Sequence, residues 1–297
     1  MNNDSELVLG IIQTIGTNSV NIISCIEDSL KRFHYKVEKI KVSQTILTEF
    51  SENNMAFQRE FDRISFFMDL GNNIRKKTGD ASILMKGVCA YIYKNYRENS
   101  GGGPCPRTAY IIDSIKHPDE VDFLRKTYGD GFHLIGISAD YEERKKYLIK
   151  RKNLSEDEAI QILNRDDNEE EKNGQHTRDS YQQADYFITA NDNQAECEAA
   201  IFRLLDLLFG NSFISPTFSE YAMFRAYVAS LRSADLSRQI GAVVANEKTR
   251  ETMFFLRNLE DTAVTRTPSK EAMHIGTKGT KTADAKYMKK NSKCADA

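Results

Sequence analysis

Three apolar runs, Leu7 to Ile12 (LVLGII), Ala109 to Ile112 (AYII) and Phe132 to Ile137 (FHLIGI), constrain the fold most, because none alternates cleanly between apolar and polar positions. A strand that is apolar on both faces is buried on both faces, which is the situation of a parallel sheet covered by helices above and below. Helical segments lie between these runs: Val20, Ile22, Ile23, Ile26, Leu30 and Phe33 recur at helical spacing, and residues 56–77 and 82–97 keep the same period. Two weaker strands, Lys36 to Val42 and Tyr186 to Thr189, complete the set. The pattern predicts an α/β, three-layer domain over residues 5–210, with a mainly parallel sheet built from strands near Leu7, Val37, Ala109, Phe132 and Tyr186.

Local signals place the connections. SGGGPCP, residues 100–106, breaks the chain before the Ala109 strand, and His117-Pro118-Asp119-Glu120 opens the helix after it. A long charged helix follows Asp140, and Ser155 with Glu158 has the spacing of a capping box. Gly210 stops the helix that carries Ile201, Leu204, Leu205, Leu207 and Leu208, and residues 211–216 read as a linker. A second unit then begins with a helix, Phe218 to Leu231, and a strand, Ile240 to Ala245.

Composition removes several function classes. No apolar run approaches the roughly 20 residues of a membrane span, and MNNDSELVLGIIQ has no basic stretch before its apolar one, so neither a membrane protein nor a signal peptide is expected. Five scattered cysteines without any Cys-x-x-Cys point to reduced thiols and a cytoplasmic location. The net charge of −2 speaks against general nucleic-acid binding. It conceals an asymmetry: residues 1–246 carry 30 basic and 36 acidic side chains, residues 247–297 carry 11 and 7. From Thr262 onward aliphatic residues become rare, and a poorly packed tail is expected.

The loop after the first strand holds Gly16-Thr17-Asn18-Ser19, where a phosphate-binding P-loop has Gly-x-x-x-x-Gly-Lys-Ser/Thr. No Lys lies between Gln13 and Asn21, so kinase chemistry is not expected. Gly16, Thr17 and Ser19 can still offer amides and hydroxyls to an anion at a helix N-terminus, and an ordinary βα turn accounts for them equally well. Asp113 ends a strand as a magnesium-binding carboxylate does, or as a helix-capping Asp does. Arg144, Arg151, Arg165 and Arg178 surround the acidic segment 165–173; they suit a phosphate clamp on a lid, or a solvated charged helix pair. Gly101-Gly102-Gly103 reads as a connector, and His34, His117, His133 and His176 are isolated.

The stretch from Glu220 to Val244 is the most specific text in the chain, above all Arg232-Ser233-Ala234-Asp235-Leu236-Ser237-Arg238-Gln239-Ile240-Gly241-Ala242-Val243. It resembles the first helix and first strand of the deoxycytidylate deaminase family. The first 210 residues, through Gly16-Thr17, Ser114 to Val121, His133 to Ile137, Arg178-Asp179-Ser180 and Ala184 to Ile188, resemble the P-loop kinase-like half of bacterial two-domain anti-phage dCTP/dCMP deaminases. The resemblance spans about residues 6–246. It implies a nucleotide-binding or regulatory domain over 1–210, the start of a deaminase-like domain over 211–246 and a divergent tail over 247–297. It further implies deoxycytidine nucleotides as ligands, zinc as the family's metal and a homo-oligomer. Arg232, Ser237 and Arg238 then become candidate phosphate contacts beside Gly16, Thr17, Asn18, Ser19, Asp113, Arg144 and Arg151, although helix capping explains Arg232 and its neighbours as well.

The resemblance stops before the chemistry. Zinc deaminases carry a His or Cys followed two positions on by a catalytic Glu, and a Pro-Cys-x-x-Cys pair. Here His274 is followed by Ile275 and Gly276, and Cys294 is the only cysteine after Cys197. No catalytic or metal-binding residue is therefore assigned, no zinc is expected in this chain, and it is expected not to deaminate. The tail fits a natural non-catalytic variant or a shifted reading frame. Residues 271–281 favour the second, because one choice of codons, read in the neighbouring frame, gives Gly-Gly-Asp-Ala-Tyr-Trp. Besides the deaminase reading, the sequence fits a non-catalytic nucleotide-binding regulatory module and, third, a P-loop nucleotide kinase.

Overall fold

A computed structural model describes residues 5–50, 57–98, 101–167, 177–191, 193–232, 239–246, 249, 252–257, 272–278 and 281–282. The chain divides into two compact units, Met1–Ser212 and Phe213–Ala297. In the first, β1 (Leu7–Gln13), α1 (Val20–Arg32), β2 (Lys36–Lys41) and a short α2 (Val42–Thr45) precede two packed helices, α3 (Glu60–Thr78) and α4 (Ile83–Ile92). Then come β3 (Thr108–Ile115), α5 (Pro118–Tyr128), β4 (Phe132–Ser138), α6 (Tyr141–Lys152), α7 (Glu156–Asp167), α8 (Thr177–Tyr181), β5 (Tyr186–Thr189) and α9 (Gln194–Leu208).

The five strands form one parallel sheet in the order β2-β3-β1-β4-β5. β1 lies at its centre, with Leu7 opposite Ala109 on one side and Val8 opposite Phe132 on the other. Its successive side chains serve two cores. Val8 and Ile12 join Tyr110, Ile112 and Leu134 under α3, α4 and α5, while Leu7, Leu9 and Ile11 join Ile111, Ile135 and Ile137 under α1 and α9. The expected α/β, three-layer parallel sheet is the observed one. β2 is an edge strand with only Ile40 fully buried, and this is why its sequence alternates where the central strands do not. Val42, read as the end of that strand, instead starts α2.

The helix starts follow their sequence signals. At α5 the His117 side chain accepts from the Asp119 amide at 3.1 Å, while Glu120 Oε2 accepts from the His117 amide at 3.1 Å. At α7 the Glu158 amide donates to Ser155 Oγ at 3.2 Å and the Ser155 amide to Glu158 Oε2 at 2.9 Å, a complete capping box. Cys25, Cys89, Cys105 and Cys197 are free thiols. Among the described residues, no helix is long and apolar enough to cross a membrane.

The second unit opens with α10 (Phe218–Ser230), capped reciprocally by Thr217 and Glu220. β6 (Ile240–Asn246) pairs antiparallel with β7 (Thr252–Arg257) and β8 (Ala272–Lys278), and β8 pairs with β9 (Lys281–Thr282). Ala222 and Ala226 of α10 pack on Val243 and Ala245. The poorly packed tail expected from Thr262 onward lies largely outside the described residues. After residue 246, β7 and β8 flank β6 and β9 pairs with β8, three strands that the residue pattern did not announce. Both edges of an apolar strand such as β6 need backbone partners, and those partners need little side-chain signal of their own.

Candidate functional site

The sheet order reverses beside β1, and in open α/β sheets the crevice at the carboxyl ends of the strands around such a point is where ligands bind. A cleft of about 300 Å³ lies there. Gln13 ends β1, Lys41 ends β2, Asp113 and Ser114 lie in β3, and the loop 14–17 with Ser19 closes one side. Phe67, Met68, Leu47 and Leu84 give it an apolar wall.

The loop is tightly built. Gly16 has φ +81°, and a Cβ there would stand 2.9 Å from the Arg144 carbonyl oxygen, so only glycine fits both the conformation and the space. The Thr17 amide donates to the Thr14 carbonyl at 3.3 Å, the Ser19 amide to the Thr17 carbonyl at 3.1 Å, and the Thr14 and Thr17 hydroxyls are 3.2 Å apart. α1 follows with no acidic residue in its first turn and no side-chain cap from Ser19. The positive end of a 13-residue helix thus faces the loop without an anion of its own.

The charges around the cleft are mostly matched by internal partners. Lys116 Nζ donates to the Gln13 carbonyl at 2.8 Å and to Asp166 Oδ1 at 3.4 Å, and Asp166 Oδ2 accepts from the Ile15 amide at 2.8 Å. Gln13 Nε2 donates to Asp113 Oδ1 at 3.2 Å. Burial pushes the Asp113 carboxyl above the usual carboxylate range, and Lys41, Lys116 and Gln13 oppose the shift. Arg63 donates twice to Glu60, at 2.6 and 2.8 Å, and this fork, with Lys152 at 3.2 Å, holds Glu60 at about 2 despite its partial burial. Arg75 and Glu120 form a buried pair at 2.8 Å, with side chains 2% and 1% exposed. Arg75 lines the cleft, and its Nε and Gln13 Oε1 are buried without a hydrogen-bond partner among the described residues.

Of the residues expected from the sequence, Gly16, Thr17, Ser19 and Asp113 meet at this cleft. Asn18 is exposed and does not line it. Arg144 is buried behind the loop, where its backbone touches Gly16 and its Nη1 stands 3.5 Å from the Ile15 carbonyl, so it supports the loop instead of facing the cleft. Arg151 is exposed on α6, whereas Lys152 lines the cleft. Arg165 pairs with Asp69 at 2.6 Å. Arg232 is exposed beyond α10 in the second unit; Ser237, Arg238 and the acidic segment after Asp167 lie outside the described residues. Sequence reasoning passed over Lys116, Lys41, Arg63, Arg75 and Asp166. The glycine loop itself has no lysine, whereas the structure brings Lys116, just past β3 and about a hundred positions later, to the cleft. Lys41 and Lys116 had a readable signal, since one is the last residue of β2 and the other directly follows β3.

Among the described residues no group of three or more His, Cys, Asp or Glu can hold a metal ion. No family model matches the chain, and no curated protein matches it. Solved structures do. A shikimate kinase from Bacteroides thetaiotaomicron is 10% identical, over 68% of this chain and 98% of that one, with a TM-score of 0.39. A gluconokinase from Sinorhizobium meliloti is 10% identical over 70% and 98%, with a TM-score of 0.38. Dephospho-CoA kinase from Campylobacter jejuni is 11% identical over 69% and 99%, with a TM-score of 0.36.

Proposed function

We propose that the first unit is a nucleotide-binding regulatory domain, and that its ligand's phosphates sit against Thr17, Ser19 and Lys116. The observation that carries this reading is the cleft at the ends of β1 and β3, which joins an uncapped helix N-terminus and a lysine to an apolar wall. Such a site suits a ligand with an anionic end and a flat apolar one. Titration of the full chain with ATP and dCTP tests it. Lys116→Ala is expected to weaken binding about 10- to 100-fold, the loss of one hydrogen bond to a charged group worth about 1.5–3 kcal/mol. Absence of binding to either nucleotide at millimolar concentration overturns the reading.

The chain as a whole fits a cytoplasmic member of the deoxycytidine nucleotide deaminase group of phage defence that binds deoxycytidine nucleotides or another nucleotide without deaminating dCTP or dCMP itself, and that, as the resemblance implies, assembles into a homo-oligomer. What supports this is the Arg232 to Val243 text leading from α10 into β6. The residues do not fit a catalytic zinc. His274 lies in β8 opposite Val244, its chain neighbours are Met273 and Ile275, and Cys294 is the one cysteine of the second unit. A deaminase zinc needs three protein donors and a glutamate to move protons. The expected outcome is no stoichiometric zinc by elemental analysis and no deoxyuridine nucleotide from dCMP or dCTP; either product or metal in stoichiometric amount refutes the non-catalytic assignment.

A further inference from the structure

We propose that Asp166 is an internal stand-in for a ligand's anion, so that phosphate entering the cleft must displace its carboxylate and thereby loosen the end of α7. The proposal rests on the reading of the cleft as a phosphate site and names how that site is regulated.

The geometry is specific. Asp166 sits in the last turn of α7, its side chain fully buried. Burying a carboxylate is costly unless donors meet it, and here the donors are the Ile15 amide of the glycine loop and the ammonium of Lys116. Those are groups of the kind that a phosphate-binding loop turns toward its ligand. In this chain one of them already holds an anion, and Lys116 divides its donors between Asp166 and the Gln13 carbonyl. A phosphate, with more charge and more acceptor oxygens than a carboxylate, competes for the same two donors.

The latch is mechanically connected. Ile15 packs against the apolar cluster that holds α7, formed by Ala159, Ile162 and Leu163 with Leu148 and Leu154. The same residue therefore bonds to Asp166 through its amide and packs on α7 through its side chain. Drawing the Ile15 amide toward a ligand withdraws a bond from the α7 terminus. A ligand that binds only the open arrangement pays for breaking the closed one, and its measured affinity is lower by that factor.

The test is calorimetric titration of the full chain with inorganic pyrophosphate and with ATP, for the wild type, Asp166→Ala, Asp166→Asn and Asp28→Asn. Asp166→Ala is expected to bind pyrophosphate at least tenfold tighter than wild type, and adding Lys116→Ala to it is expected to abolish the gain. Asp166→Asn keeps an acceptor for Ile15 without the charge, so a severalfold gain is expected; it also serves if the Ala variant does not fold. Asp28 is a surface carboxylate of α1 and reports the loss of one negative charge alone; equal tightening by Asp28→Asn overturns the proposal. Unchanged or weaker binding by both folded Asp166 variants, with wild type still binding, overturns the latch and leaves the phosphate site standing. Binding by neither wild type nor variants overturns both. In hydrogen exchange, pyrophosphate should raise exchange at the α7 end of wild type but not of Asp166→Asn, and no change there counts against the coupling.

Discussion

Glu120→Ala is expected to destabilise the first unit by about 3–5 kcal/mol, the cost of leaving one member of a buried ion pair without its partner. Arg75 and Glu120 are almost completely shielded from water, so screening discounts little of this. Glu120 has a second duty. Its Oε2 accepts from the Lys116 amide at 2.8 Å and from the His117 amide at 3.1 Å, which closes the capping box of α5. Truncation therefore strands a guanidinium and two backbone donors at once, next to a lysine proposed to hold phosphate. Urea unfolding followed by far-UV circular dichroism measures the loss; the chain has no tryptophan to report it by fluorescence. Glu120→Gln keeps the hydrogen-bond shape without the charge and should lose less. The paired replacement Arg75→Met with Glu120→Leu should recover part of the difference, because no charge is then left buried. A loss below about 1 kcal/mol for Glu120→Ala would place this pair among exposed salt bridges and contradict its burial.

That pair also marks the limit of what the sequence made legible. β1 announced itself, since six consecutive apolar residues can be buried on both faces only in a sheet covered twice. Ser155 and Glu158 announced the start of α7, because a capping box is a local device completed within four residues. Arg75 and Glu120 are separated by 45 positions, and Lys116 and Asp166 by 50, so nothing local in either text marks them as partners. Gly16, Thr17, Ser19 and Asp113 were within reach because a glycine loop after a first strand and a carboxylate in a later one are positional signals. Arg151 misled for the complementary reason. On a helix as charged as α6, which of two adjacent cations faces the cleft depends on how the helix is rotated, and Lys152 faces it. In the second unit, β6 was readable from its apolar run, while β7, β8 and β9 owe their pairing to backbone bonds.

Gly241→Ala is expected to cost the second unit about 3 kcal/mol or more, at the upper end of what overpacking does, because the obstruction is backbone and cannot rotate away. Gly241 lies near the start of β6, between Arg257 of β7 and Thr277 of β8, so the strand is held on both edges and cannot slide aside. α10 crosses directly over it. A Cβ at this position would overlap the Ala226 carbonyl oxygen and the Ser230 amide nitrogen, and would stand 3.0 Å from Ser230 Cα. Helix and strand must separate by a large fraction of an ångström or more for a methyl group to enter. That movement takes Ala222 and Ala226 away from Val243 and Ala245, the small residues that make up this core. The glycine in Gln239-Ile240-Gly241-Ala242 is thus explained by close approach of two backbones, independently of any contact with a nucleotide. Ala242→Ser is the control, since its half-buried side chain leaves the opposite face of the pleat, away from α10, and a smaller loss than that of Gly241→Ala is expected there. Limited proteolysis reads the two units separately: Gly241→Ala should speed cleavage after residue 213 and leave the first unit as resistant as before. Equal resistance of the second unit in both variants would mean that α10 does not sit on β6 as closely as Gly241 requires.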